Sequence, residues 1–281
     1  MDVTEAQDLY SYEPFTRHGF YRDMNQALLT QALDRLPAPS RQRRAAVVDL
    51  GCGTGALTAM LVEELDRRGA RVTISGIDPS ASALAVAEHQ VPEAAKVRFL
   101  QGDVAAMAQL APVDAVFFCN AIHLVPDKDD VLEQIAQNLV PGGLLAMNSA
   151  FFTGAYAPGT ERFYRLWTAR ALRRLRRSHP EVTLSRSTRT PAMDWRSPEE
   201  YELLLREHGF EVVTNRMDEA RMTLESIQDI GHYRLFIEGA LPGAPLEAGA
   251  DALGFAAVEA FGELGLEFLL RRWLQLVARR R

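Results

Sequence analysis

Residues 47–61 read VVDLGCGTGALTAML: an apolar run, three glycines at alternate positions (Gly51, Gly53, Gly55), then helical spacing. Glycine is needed where backbone takes positive φ or lies against a ligand. A loop that opens a helix also aims that helix's free amides at whatever lies beyond it. The preceding AAVVDL (45–50) is a short apolar run, as a strand covered on both faces must be. A strand–glycine loop–helix unit of this kind belongs to a parallel sheet with helices on both faces.

The same grammar repeats downstream. RVTISGI (71–77), KVRFL (96–100), VDAVFFC (113–119) and GGLLAMNSAFF (142–152) read as strands. ASALAVAEH behind Ser80, VAAMAQL and DDVLEQIAQNL (129–139) read as helices. Five strands alternating with helices predict right-handed βαβ connections. SPEEYELLLREHGFEVVTN (197–215) adds a helix and a strand, with Ser197 as cap, Pro198 in the first turn and Gly209 at the stop. WLQLVA reads as a last strand. We expect one α/β domain over 1–281, with a helical N-terminal cap over 1–44 and a ligand-binding core over 45–150. The stretches 153–196 and 217–265 are too long for ordinary connections. They read as helical insertions, the second as two helices split by GALPGAPLEAGA, and are expected at the carboxyl ends of strands, as a lid.

A net charge of −6 and a pI near 5.6 argue against nucleic acid as partner. The two cysteines, Cys52 and Cys119, lie in no Cys or Cys/His cluster, so no structural metal is expected, and reduced thiols suit a cytoplasmic protein. The acidic N-terminal stretch has no apolar h-region and no run of about 18 apolar residues occurs, so no membrane association is expected.

Three ligands compete for the glycine loop. A phosphate-binding P-loop needs a Gly-Lys pair, which this chain lacks. The dinucleotide fingerprint G-x-G-x-x-G/A is formally met by Gly51, Gly53 and Ala56. The residues around the loop point elsewhere. Asp49 stands just before the first glycine, Asp78 and Pro79 end the second strand in SGIDPS, and Gly102-Asp103 follow the third. NAIHLVPD follows the fourth strand and LVPGG precedes the fifth.

With these motifs at successive strand ends, residues 45–150 resemble the class I S-adenosylmethionine-dependent methyltransferases of small-molecule type, with a looser match through 197–216 and the last strand. The resemblance implies a seven-stranded Rossmann-like methyltransferase sheet and S-adenosyl-L-methionine as cofactor. It places Gly51, Gly53 and Gly55 under the methionine part of the cofactor and Asp49 near its amino group. Asp78, beside Pro79, would take the ribose hydroxyls, Asp103 and the Val104 amide the adenine, and Asn120 would line the methionine pocket. Acidic groups around a backbone loop suit a ligand carrying an ammonium and a sulfonium. A carboxylate on two vicinal hydroxyls would serve a nicotinamide dinucleotide equally well.

His123, three residues past Asn120, is the first candidate base for a hydroxyl or carbon acceptor, or else a pocket wall. LYSYEPFTRHGFYRDMN crowds aromatics near the N-terminus, and the resemblance implies an aromatic cap closing the pocket. Tyr21 and His18 are candidate catalytic contacts there, and Tyr12 and Phe15 candidate substrate contacts. His232 and Tyr233, in GHYRLF, are further acceptor candidates. In ARALRRLRRSH, Arg170, Arg173, Arg174 and Arg177 fall at helical spacing; this is a solvated face, or Arg173 and Arg174 anchor an anionic group of the acceptor. The expected function is methyl transfer to a small, largely apolar molecule, with O- or C-acceptors ahead of N. A non-catalytic S-adenosylmethionine-binding protein is the alternative, and the insertions leave a homo-oligomer open.

Overall fold

The computed structural model describes residues 10–36, 44–184 and 194–281. The sequence-predicted cap and first insertion therefore lie partly outside the described residues. The described chain divides into two compact units. A core unit comprises 23–36, 44–153, 196–218 and 273–281, and a helical unit comprises 10–22, 154–184, 194–195 and 219–272.

Seven strands, β1 (Ala45–Leu50), β2 (Val72–Asp78), β3 (Arg98–Gln101), β4 (Val113–Cys119), β5 (Leu139–Ser149), β6 (Phe210–Met222) and β7 (Leu269–Arg280), form one sheet in the order 3-2-1-4-5-7-6. Ten helices accompany them among the described residues: α1 (Glu13–Thr16), α2 (Gly19–Leu33), α3 (Ala56–Arg67), α4 (Ala81–Gln90), α5 (Lys128–Asn138), α6 (Glu161–Ser178), α7 (Pro198–Glu207), α8 (Leu224–His232), α9 (Arg234–Ala240) and α10 (Leu246–Leu264). The pairs β1–β2, β1–β4, β2–β3 and β4–β5 are parallel, and β5–β7 is antiparallel. Strand order reverses between β1 and β4, which is where an open sheet of this type binds its ligand.

The apolar runs go to the middle of this sheet. Every residue of β4 is buried and only Ala46 of β1 is not, whereas the short edge strand β3 buries none. Leu28, Leu29 and Leu33 of α2 join Val47, Leu57, Leu61, Phe117 and Val277 in one apolar cluster of the core unit. Helix starts follow the punctuation. Ser80 Oγ accepts the Ala83 amide at 3.2 Å, Asp127 Oδ1 accepts the Asp130 amide at 3.0 Å, and Ser197 and Glu200 close a reciprocal capping box. Each cap stabilises its helix by about 1 kcal/mol.

Several boundaries differ from the sequence expectation. The fifth strand stops at Ser149 rather than 152, because Ser149 Oγ accepts the Phe151 amide at 2.9 Å and turns the chain. The sixth runs to Met222, well past 215: at an end of the sheet, partly exposed positions accommodate the polar residues of NRMDEARM. The second insertion therefore begins later than 217, and it holds three helices, since extended Tyr233 (φ −71°, ψ 128°) separates α8 from α9. In the helical unit α6 packs on α10. Trp167, 2% exposed, donates its Nε1–H to Leu253 O at 2.8 Å and stacks on Phe236, while Phe163 meets Phe261 edge-on at 5.2 Å. Among the described residues no helix is long and apolar enough to cross a membrane.

Candidate functional site

At the carboxyl end of β1 the three loop glycines all take positive φ: 69° at Gly51, 54° at Gly53 and 87° at Gly55. A Cβ on Gly55 would stand 2.9 Å from Ala87 Cβ, and one on Gly51 3.0 Å from Ala121 Cβ. Gly53 is different: nothing lies within 4 Å of the place its Cβ would occupy. Gly51 and Gly55 are thus demanded by packing, and Gly53 presents bare backbone to open space.

Asp49, at the head of the loop, is 1% exposed and accepts a 2.6 Å hydrogen bond from Thr58 Oγ1. Burial raises its pKa to about 7; the Thr58 bond opposes the rise and nearby Asp78 adds to it. Asp78 accepts the Gly53 amide at 2.8 Å on one oxygen and the Ser80 amide at 2.9 Å on the other. Burial raises its pKa too, against these two bonds. Pro79 O accepts Gln101 Nε2 at 3.3 Å, joining the ends of β2 and β3. Exposed Asp103 accepts the Ala105 amide at 3.0 Å and caps the turn that begins at buried Val104.

Across the switch point, Asn120 follows β4 with φ 50°, a left-handed conformation that asparagine tolerates. Its amide donates to Asn148 O and its Oδ1 accepts the Ala150 amide, but its buried Nδ2 has no hydrogen-bond partner. Three residues on, His123 is 3% exposed, lies 3.3 Å through Nδ1 from Ser149 Oγ and stacks on Phe151 at 4.5 Å. The structure therefore brings Asp49, Gly51, Gly53, Gly55, Asp78, Pro79, Asp103, Val104, Asn120 and His123 into one unit, at the carboxyl ends of β1 to β4.

The other sequence-predicted residues lie in the helical unit. Tyr12 packs against Phe15 (5.0 Å), Tyr21 (6.1 Å) and Tyr233 (5.0 Å), so two aromatic clusters some 200 residues apart in sequence meet there. Tyr10 meets His232 edge-on and its carbonyl accepts the Arg234 amide. His18 Nε2 lies 2.7 Å from Asp229 Oδ2, and its ring stacks on Phe20. The Tyr12 hydroxyl is buried without a hydrogen-bond partner; burial pushes its pKa well up, Tyr21 and Tyr233 add to this, and Arg271 opposes it. The arginines of α6 are engaged unequally. Arg170 pairs with Glu259 and Glu263, and Arg174 with Asp251 at 3.1 Å, all on α10. Arg173 and Arg177 face solvent.

Sequence reasoning missed three groups. Thr58 carried a signal: it is the only polar residue in the first five positions of the loop helix. Asp229 and Arg271 carried none, since what matters in each is a remote partner. Arg271 is 4% exposed; its guanidinium carbon lies 5.4, 5.7 and 5.9 Å from the ring centres of Tyr156, Tyr164 and Trp195, and its Nη1 donates to Tyr164 Oη at 3.0 Å. Among the described residues no group of three or more His, Cys, Asp or Glu is placed to hold a metal. Cys52 and Cys119 are buried free thiols, and burial pushes both up.

Residues 47–143 match the family model described as a methyltransferase domain. Among curated proteins, the trans-aconitate 2-methyltransferase of Azoarcus sp. (strain BH72) is 40% identical over 103 residues, 37% of this chain and 38% of that protein. The malonyl-acyl-carrier-protein O-methyltransferase of Halalkalibacterium halodurans is 31% identical over 142 residues, 49% of this chain and 48% of that one. The chain thus spans less than half the length of these relatives. Among solved structures, the phosphoethanolamine N-methyltransferase 2 of Haemonchus contortus in complex with phosphomonomethylethanolamine and S-adenosylhomocysteine superposes with a TM-score of 0.54 at 16% identity, over 98% of this chain and 57% of that one. The cyclase SpnF does so with a TM-score of 0.51 at 18% identity, over 94% and 84%. The matched residues run from β1 into β5 with the glycine loop at the switch point, so residues 47–143 form a methyltransferase domain, and the solved structures share its fold.

Proposed function

We propose that the chain transfers the methyl group of S-adenosylmethionine to a carboxylate oxygen of a small organic acid. The observation that carries the cofactor part is the buried Asp49 carboxylate at the head of the glycine loop. An acidic group there, ionised by an arriving ammonium, favours a cationic ligand over a pyrophosphate seated on the loop. The remaining groups fit the same ligand. The orphaned Asn120 Nδ2 is a donor for the methionine carboxylate, the bare backbone at Gly53 admits close approach, and each Asp78 oxygen keeps a lone pair for a ribose hydroxyl. Asp103 and the Val104 amide are assigned to the adenine. Bound S-adenosylmethionine supplies an electrophilic methyl carbon on a sulfonium; the protein aligns and desolvates.

Two features support a carboxylate acceptor. The acceptors printed in the names of both curated relatives carry free carboxylates. In the helical unit, Arg271 offers a planar, aromatic-flanked guanidinium of the type that recognises carboxylates, near enough to Tyr12 to oppose part of the rise that burial causes in its pKa. A carboxylate is already ionised at neutral pH, so no general base is required, and His123 acts as a wall that Ser149 and Phe151 hold in place. Fold likeness alone does not carry the activity, since a cyclase shares it. The test supplies cofactor with a labelled methyl group and a panel of mono-, di- and tricarboxylic acids, trans-aconitate among them. Base-labile methyl esters are expected. Label on amines overturns the acceptor class, and tight cofactor binding without turnover overturns catalysis.

A further inference from the structure

The outward face of α6 holds an arrangement that the methyl-transfer reading leaves unused. Arg162, Arg165, Arg173, Arg176 and Arg177 are all exposed, and among the described residues none of them forms an ion pair. At 100° per residue they occupy about one third of the helix circumference, and at 1.5 Å per residue they span about 22 Å. Arg162 and Arg165 sit in the first turns, where the helix dipole disfavours cations. Arg162–Arg165, Arg173–Arg176 and Arg173–Arg177 are like-charge neighbours three or four residues apart, each costing a few tenths of a kcal/mol. Arg176 and Arg177 sit in the last turn, where the dipole favours cations, so the cost falls on the repulsive pairs and on the first turns. The neighbouring Arg170 and Arg174, turned toward α10, pair with its acidic side chains.

We infer that this face docks an acidic helix of a partner protein, one with carboxylates at i, i+4, i+7, i+11 and i+14 along a single edge. Charge complementarity decides the class. The five arginines supply +5 against a whole-chain charge of −6, so the remainder carries −11. Such a remainder repels the long field of a nucleic acid, while a short row of carboxylates meets the stripe within one Debye length, about 8 Å. Within that third of the circumference the other positions are exposed Ala169 and partly buried Leu166, so the stripe offers no row of large apolar side chains to enter a bilayer. Beside it, however, Phe255 and Val258 of α10 are 43% and 48% exposed, with Phe255 under the Arg174 guanidinium at 4.6 Å. Arginines flanking an exposed aromatic and aliphatic pair match the composition of a protein–protein interface. The inference stands whether or not the acceptor assignment holds.

The test measures fluorescence anisotropy of a labelled helical peptide of about 18 residues with glutamates at those five positions on an alanine–glutamine scaffold. The full chain is titrated without cofactor. The comparison probes are the same peptide with lysines for glutamates, a duplex DNA of similar length, and vesicles of phosphatidylcholine and phosphatidylserine. We expect the acidic peptide to bind, to weaken about tenfold or more between about 50 and 200 mM salt, and to lose about tenfold when all five arginines become glutamine. The double variant R173Q/R177Q, with its circular dichroism compared with that of the parent, should lose part of this, and R206Q on α7 none. Acidic-peptide affinity unchanged by the five substitutions, no binding at low salt, or tighter binding of DNA or vesicles through the same arginines would each overturn the inference.

Discussion

Thr58 Oγ1 donates a 2.6 Å hydrogen bond to Asp49 Oδ2, tying the head of the glycine loop to the helix that the loop opens. Both side chains are almost wholly shielded from solvent. The bond is the main counterweight to burial, and with burial it holds Asp49 at a pKa of about 7.

Cofactor binding should therefore release a proton. In the folded, unliganded protein Asp49 keeps its proton up to about pH 7, whereas an unfolded chain loses it near pH 4. The folded state binds the extra proton between those values, so this residue's contribution to stability declines as pH rises through that window, by at most about 4 kcal/mol. A ligand ammonium favours the ionised form. Affinity for adenosylhomocysteine should rise toward tenfold per pH unit below about 7 and level off above it. Calorimetry at pH 6 in buffers of different ionisation enthalpy should register close to one proton released; Asp49→Asn should remove that signal, and a flat profile in the parent protein would refute the assignment.

Thr58→Val should move the same midpoint upward, since the bond that lowers the Asp49 pKa is lost. It should also destabilise the protein by about 1–3 kcal/mol by leaving a buried carboxyl without its donor. Urea unfolding together with the pH dependence of binding separates the two effects.

The loop glycines should respond unequally. Gly55→Ala places a methyl against the Ala87 main chain at 3.0 Å as well as forcing φ 87°, and should cost about 3 kcal/mol or more. Gly53→Ala meets open space and carries only the left-handed penalty of about 1–2 kcal/mol, yet it should weaken the cofactor strongly by filling the floor of its site. Thermal melts paired with binding isotherms distinguish loss of fold from loss of ligand.

His123 should prove dispensable for proton removal. His123→Asn should retain more than about a tenth of kcat on a carboxylate acceptor, where loss of a general base would remove about 10²–10⁴. A fall of that size, or a kcat/KM profile in the parent with a base ionising near pH 6.5, would instead restore the residue to the chemistry.

Arg271→Gln should raise the KM of carboxylate acceptors by about tenfold or more while leaving adenosylhomocysteine affinity unaltered. Arg271→Lys should recover only part, because an ammonium cannot copy the planar fork. Equal losses for charged and uncharged acceptors would mean that the residue only supports the packing of Tyr156, Tyr164 and Trp195.

The α/β class, six of the seven strands to within a few residues, and the strand-end places of the residues from Asp49 to Asn120 were legible in the amino-acid order, because each depends on local properties. An apolar run makes a doubly covered strand, a glycine permits positive φ, and a carboxylate at a strand tip stays at that tip whatever the rest of the chain does. The end of β6 was not legible, since NRMDEARM is polar enough for a loop and becomes strand only through its place in the sheet. Nor was the sorting of the α6 arginines: helical spacing groups Arg170, Arg173, Arg174 and Arg177, and only the acidic side chains of α10, some 80 residues away, draw Arg170 and Arg174 from solvent. The meeting of Tyr12 with Tyr233, the pairing of His18 with Asp229 and the aromatic setting of Arg271 have the same origin. Periodicity says which face of an element a side chain occupies, but its partner is chosen by long-range packing, and that is a property of the folded chain alone.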